Sequence, residues 1–207
     1  MREHDIADVD FIKVDTQGSE LFILQGATHA LRAGAFGVEV EVEFAEMYEG
    51  QPLYADVDKF LRPIGFELFD LKLSHMKRSA GKQWGKRKGQ LIYGDALYLK
   101  DSPQLAAMLQ GLPEEQQRGK VLRALSICFL YGYFDFAFEI FECQRHLFDE
   151  KQRTAVLTRI RSTRSLSSRI PIFRGRQRLA HLLSKLWEVV EPTYESGTTY
   201  QRHLGNL

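Results

Sequence analysis

Two neighbouring stretches restrict the fold most: DFIKVDTQGSELFILQGA, residues 10–27, and FGVEVEVEF, residues 36–44. Residues 9–14 (VDFIKV) are rich in β-branched and aromatic side chains and predict a short strand. Asp15, Thr16, Gln17 and Gly18 follow at once and read as a turn leading into a helix. Residues 19–32 place Leu21, Leu24, Ala27 and Leu31 at spacings of three, three and four, which predicts one amphipathic helix ending at Gly34. The second stretch alternates strictly, with Val38, Val40 and Val42 on one face and Glu39, Glu41 and Glu43 on the other. Strands separated by helices of this length argue for a parallel α/β sheet with crossover helices.

The pattern continues with a loop at residues 49–52 and a helix at residues 54–61, stopped near Pro63 and Gly65. Residues 66–73 (FELFDLKL) and 96–99 (ALYL) read as two further strands, able to pair as an antiparallel hairpin. Between them residues 72–88 carry seven Lys or Arg, and no acid occurs from residue 71 to 94; a long polar, mobile connection is expected. From Pro103 onward the spacing is helical. Residues 114–131 and 134–148 form a helical hairpin turning at Gly132 and Tyr133, with Val121, Leu122, Leu125, Cys128 and Phe129 on the inner face of the first helix. The hairpin resembles one tetratricopeptide unit, but no second copy follows, so an appendage is expected rather than a repeat array. Residues 162–168 break the helical pattern and a last helix spans about 176–190. The predicted organisation is an α/β sheet over 1–102, a helical extension over 103–190 and a weakly ordered tail over 191–207.

Charge is also divided along the chain. The net charge of +1 is the sum of −10 over residues 1–70 (5 basic, 15 acidic) and +11 over residues 71–207 (23 basic, 12 acidic). The near-neutral total, with no recognition motif, argues against a nucleic-acid binder. Cys128 and Cys143 are too few for a disulfide framework and fall in an apolar helical region, predicting reduced core cysteines in a cytoplasmic protein. The first ten residues lack the apolar run of a signal peptide, and the longest uncharged stretch of the apolar region, residues 124–134, is too short to span a bilayer. No membrane partner is therefore expected.

The chemistry concentrates at the end of the first strand. In an open parallel sheet, ligands bind beyond the carboxyl ends of the strands. Asp15 sits at that end, Gln17 follows it, Gly18 permits a tight turn or a close backbone approach, and Glu20 lies in the first helical turn near its positive end. Such a cluster can accept hydrogen bonds from a hydroxyl or amino group, serve as a general base, help hold a divalent cation, or merely cap the helix. The six histidines, at 4, 29, 75, 146, 181 and 203, are scattered, so their spacing assigns no metal ligands.

This string, together with residues 37–44 and 48–71, resembles the C-terminal half of the FkbM family of S-adenosylmethionine-dependent methyltransferases. Asp15, Gln17, Gly18, Glu20, Leu24, Gly26, Glu41 and Glu43 match the family pattern, and the likeness extends over about residues 7–101. The resemblance implies a partial class I methyltransferase (Rossmann-like) sheet, in which these are the fourth to seventh of seven strands. It also implies O-methyl transfer to a sugar or other secondary-metabolite hydroxyl. It makes Asp15 and Glu43 the catalytic candidates, and Gln17, Gly18, Glu20 and Glu41 the rim of the substrate or cofactor site.

The family holds S-adenosylmethionine with a glycine-rich turn after the first strand and an acid ending the second. Only eight residues precede Val9 and no Gly-x-Gly occurs anywhere, so a truncated or split enzyme lacking its first strands, inactive alone, is the expectation. Half a sheet exposes a strand edge, which predicts a protein partner covering it. A non-enzymatic interaction module descended from such an enzyme is the alternative.

Overall fold

The computed structural model describes residues 8–84, 89–162, 174–190, 198–200 and 204–205. Strand β1 (Phe11–Val14) leads into helices α1 (Glu20–Gly26) and α2 (Thr28–Ala33), then β2 (Gly37–Glu43), α3 (Tyr54–Leu61), β3 (Phe66–Met76) and β4 (Gln90–Lys100). Helices α4 (Ser102–Leu109), α5 (Glu114–Leu130), α6 (Phe134–Cys143), α7 (Glu150–Ser162) and α8 (Arg176–Val190) follow, and β5 (Thr198–Tyr200) returns to the sheet.

The sheet order is β1-β2-β4-β3-β5. β1 and β2 are parallel, as the crossover predicts, and β4 inserts antiparallel between β2 and β3. The described chain is therefore an α/β protein built on a mixed sheet, with the expected hairpin lodging its second strand in the middle.

Both sheet faces are buried. Val38, Val40 and Val42 of β2 and Tyr98 of β4 pack with Leu24, Leu31, Val57 and Leu61 from α1, α2 and α3. On the opposite side Phe36, Leu97 and Leu99 pack with Leu105 of α4, Val121, Leu125 and Cys128 of α5, Phe141 of α6 and Val156 of α7. The helical extension thus shares a core with the sheet. Polar bonds reinforce that junction: buried Lys120 of α5 donates to the Gly34 carbonyl at 3.1 Å and pairs with Asp10 at 3.2 Å and with Asp8, while Arg123 pairs with Asp10 at 2.5 Å and Asp8 at 2.8 Å.

Several expectations need correction. The single helix over 19–32 is two, because the chain breaks at Ala27; Gly26 weakens the helix there, and the Thr28 hydroxyl donates to the Gln25 carbonyl at 2.5 Å. Both strands reach further than expected: β3 runs to Met76 and β4 begins at Gln90, which shortens the basic connection, and Lys72 forms a 2.9 Å cross-strand pair with Asp95. Residues 85–88 lie outside the described segments, as do 163–173 and most of the expected tail. In α5 the inner face is Val121, Ala124, Leu125 and Cys128, whereas Leu122 is exposed. α6 stops at Cys143, so that cysteine is exposed while Cys128 is buried; both are free thiols. No helix among the described residues is long and apolar enough to cross a membrane.

Candidate functional site

The carboxyl ends of β1 and β2 lie side by side, because the two strands are parallel neighbours in register from Phe11 and Gly37 to Val14 and Val40. The chain leaves β1 through Asp15 and Thr16 and turns sharply at Gln17 and Gly18, both with positive φ (60° and 112°). Gly18 meets this conformation without strain, whereas Gln17 is the one non-glycine residue that adopts it among those described. The turn brings the Thr16 and Gly18 N–H groups onto Glu20, whose carboxylate accepts them at 2.7 and 2.9 Å and the Thr16 hydroxyl at 3.0 Å. Ser19, which precedes α1, makes no capping bond of its own. Glu20 therefore stabilises the turn as well as facing the site, and it is buried.

β2 delivers the other carboxylates. Glu39 is drawn away from the site: it pairs with Lys13 at 2.5 Å and accepts a hydrogen bond from Tyr131. Glu41 accepts from Gln17 Nε2 at 3.0 Å, and the same amide reaches the exposed Asp15 at 3.4 Å, so Gln17 bridges the two acids. Glu43, at the strand end, is buried. Ligand atoms of Glu20, Glu41 and Glu43 all lie within 4.8 Å of one another.

Electrostatics follow from this crowding. Burial, reinforced by Asp15 and Glu20, raises Glu41 from 4.5 to about 7. Burial, reinforced by Glu20 and Glu41, raises Glu43 to about 7 as well. Raised carboxylate values mean that the folded protein holds more protons than the unfolded chain between about pH 4.5 and pH 7. Stability is therefore highest below that window and falls as pH rises through it. In chelated buffer, Glu43→Gln should equal the parent near pH 5 and exceed it by about 1–2 kcal/mol at pH 8, because the neutral amide removes one of the repelling charges. Urea unfolding at the two pH values measures this; a variant less stable at pH 8 would contradict it.

One residue of the site escapes sequence reasoning. Gln51, in the loop after β2, is only 9% exposed, and its Oε1 accepts from the Met47 and Tyr48 N–H groups at 2.9 and 3.0 Å. Its Nε2 faces Gly18, where a Cβ would come within 3.4 Å, and lies against Glu43 without a hydrogen bond of normal geometry. Nothing in the local sequence except its place between Gly50 and Pro52 marks it out.

All six candidates named from sequence, Asp15, Gln17, Gly18, Glu20, Glu41 and Glu43, thus gather at one end of the sheet. A family model described as the methyltransferase FkbM domain matches residues 1–68. The N-terminal third of this chain is similar to that domain. That match contains β1, α1, α2, β2 and α3 and every one of the six residues; β4 and the helical extension lie beyond it. Searches of curated proteins and of solved structures gave no match. The segment similar to the FkbM domain therefore contains all six candidate residues, and the extension packs on the sheet from its other side.

Proposed function

We propose that this chain supplies the acceptor-binding half of an S-adenosylmethionine-dependent O-methyltransferase whose acceptor is a sugar or other secondary-metabolite hydroxyl. The observation that carries this reading is the gathering of Asp15, Gln17, Glu41 and Glu43 at the adjoining carboxyl ends of β1 and β2 within the FkbM match. The position of β4, antiparallel between β2 and β3 while β1, β2 and β3 run in one direction, supports a Rossmann-like parent in which β1 to β4 are the last four strands. Two free cysteines support a cytoplasmic location.

The described residues do not form a cradle for the methyl donor. β1 leads into a turn with one glycine and four acidic or amide side chains around it, and no described strand runs into a glycine-rich turn. What these residues fit is the acceptor. A hydroxyl entering the rim gives its hydrogen bond to Asp15 or Glu43 and receives one from an amide, Gln17 or Gln51, which fixes the direction of the oxygen lone pair. As the oxygen becomes a nucleophile, its proton passes to the carboxylate. Clustered acids repel a phosphorylated or carboxylated acceptor, so the preferred acceptors are uncharged.

Among the described residues β1 pairs with a strand on one side only, so a donor-binding half adding to its open edge completes the sheet. By itself the chain is then inactive and binds S-adenosylmethionine only weakly. Calorimetry should detect no micromolar binding to the isolated chain. Addition of a donor-binding half taken from a full-length FkbM relative should restore methyl transfer to a panel of sugar hydroxyls. In that complex Asp15→Asn and Glu43→Gln should each lose about 10²-fold or more in kcat. Near-normal rates in both would remove the assignment, and binding of the added half without turnover would favour a non-enzymatic interaction module.

A further inference from the structure

We propose that Glu20, Glu41 and Glu43 bind one divalent cation of the hard, oxygen-seeking class, with Gln51 as the outer donor that orients Glu43. Histidine spacing gave no hint of this, because every ligand is a carboxylate and the three come from two separate elements. The inference goes beyond methyl transfer and does not depend on it.

Geometry argues first. Oxygen ligands sit about 2.0–2.6 Å from magnesium, manganese or calcium, so opposite ligands of one ion are at most about 4–5 Å apart. The three carboxylates offer ligand atoms within 4.8 Å of one another. Lys13, whose charge acts on Glu41, is itself engaged by Glu39. Converging carboxylates that are buried or half-buried are costly, and a cation between them is the simplest remedy.

Gln51 provides the independent observation. Its Nε2 is buried and, although it lies against Glu43, makes no hydrogen bond of normal geometry, while its Oε1 is fixed by two backbone N–H groups that leave the amide no freedom to turn away. A buried donor so poorly satisfied asks for a better-placed partner. A cation holding one oxygen of Glu43 presents the other to Nε2, the usual outer-sphere support of a ligating carboxylate. Glu20 is already aimed by Thr16 and Gly18, and Glu41 by Gln17, so each of the three ligands has its own orienting donor. In the acceptor reading given above, the ion would lie between Glu43 and the acceptor oxygen, leaving Asp15, exposed and outside the trio, to take the proton.

Titration of the full 207-residue chain with Mn²⁺, followed by the free-ion signal in electron paramagnetic resonance at pH 7.5, tests the site directly. One ion per chain with a dissociation constant below about 1 mM is expected. Glu41→Gln and Glu43→Gln should each weaken binding at least about tenfold, Gln51→Leu should weaken it by about as much, and Glu49→Gln, exposed in the neighbouring loop, should leave it unchanged. Circular dichroism keeps misfolding apart from lost ligation, and Glu43→Gln is expected to fold at least as well as the parent. Absence of a bound ion, or equal binding by both Glu41→Gln and Glu43→Gln, overturns the proposal. Because the signal requires no turnover, failure of the methyltransferase reading and failure of the cation site are distinguishable.

Discussion

Lys120→Met should destabilise the protein by about 2–3 kcal/mol, more than an ordinary surface ion pair is worth. The ammonium is almost fully buried and serves three oxygens, from Asp8, Asp10 and the Gly34 carbonyl. Methionine fills a similar volume, so the loss reports the polar contacts and not a cavity. Arg123 continues to hold Asp8 and Asp10, and Asp8 is half exposed, which keeps the effect below the 3–5 kcal/mol of a fully isolated buried pair. Urea unfolding at pH 7 gives the figure. A change under about 0.5 kcal/mol would mean that the clamp contributes nothing to stability.

Phe36→Ala should cost about 3–4 kcal/mol, the largest single effect expected here. Phe36 is buried at the entrance to β2, stacks on Phe136 at 6.3 Å between ring centroids, and belongs to the core that joins Leu97 and Leu99 of the sheet to α4, α5, α6 and α7. Its removal opens a cavity at the seam between the two parts of the chain. Far-ultraviolet circular dichroism and tyrosine fluorescence should lose their signals together, in the variant as in the parent, because no boundary exists across which one part could melt first. A loss below 1 kcal/mol, or two separate transitions, would show that the helices form an independent unit.

The sequence reports local order well and distant pairing poorly. The alternation of Val38, Glu39, Val40, Glu41, Val42 and Glu43 announces β2 and its buried face, and the helix at Tyr54–Leu61 has the bounds its pattern predicts. The rim residues were legible because they sit in one string, Asp15 to Glu20, and one strand. The outer ends of β3 and β4 were not, since Ser74 and His75 look like loop residues until their partners Tyr93 and Leu91 supply the ladder. Lys120 reads as the polar face of α5 because its acids lie 110 and 112 residues away. Gln51 was invisible for a different reason. Its role depends on two backbone N–H groups fixing an amide, and loop geometry of that kind leaves no periodic trace.

The one-sided pairing of β1 bears on how the site breathes. An edge strand of four residues is the first part of a sheet to exchange its amide protons, and Asp15 is attached directly to its end. The opposite end of the same strand is pinned at Asp10 by Lys120 and Arg123. Protection of the Ile12 and Val14 amides should therefore track the strength of a clamp situated in the helical extension. The residues outside the FkbM match would thus set how often the acidic rim is assembled, although none of them lines it.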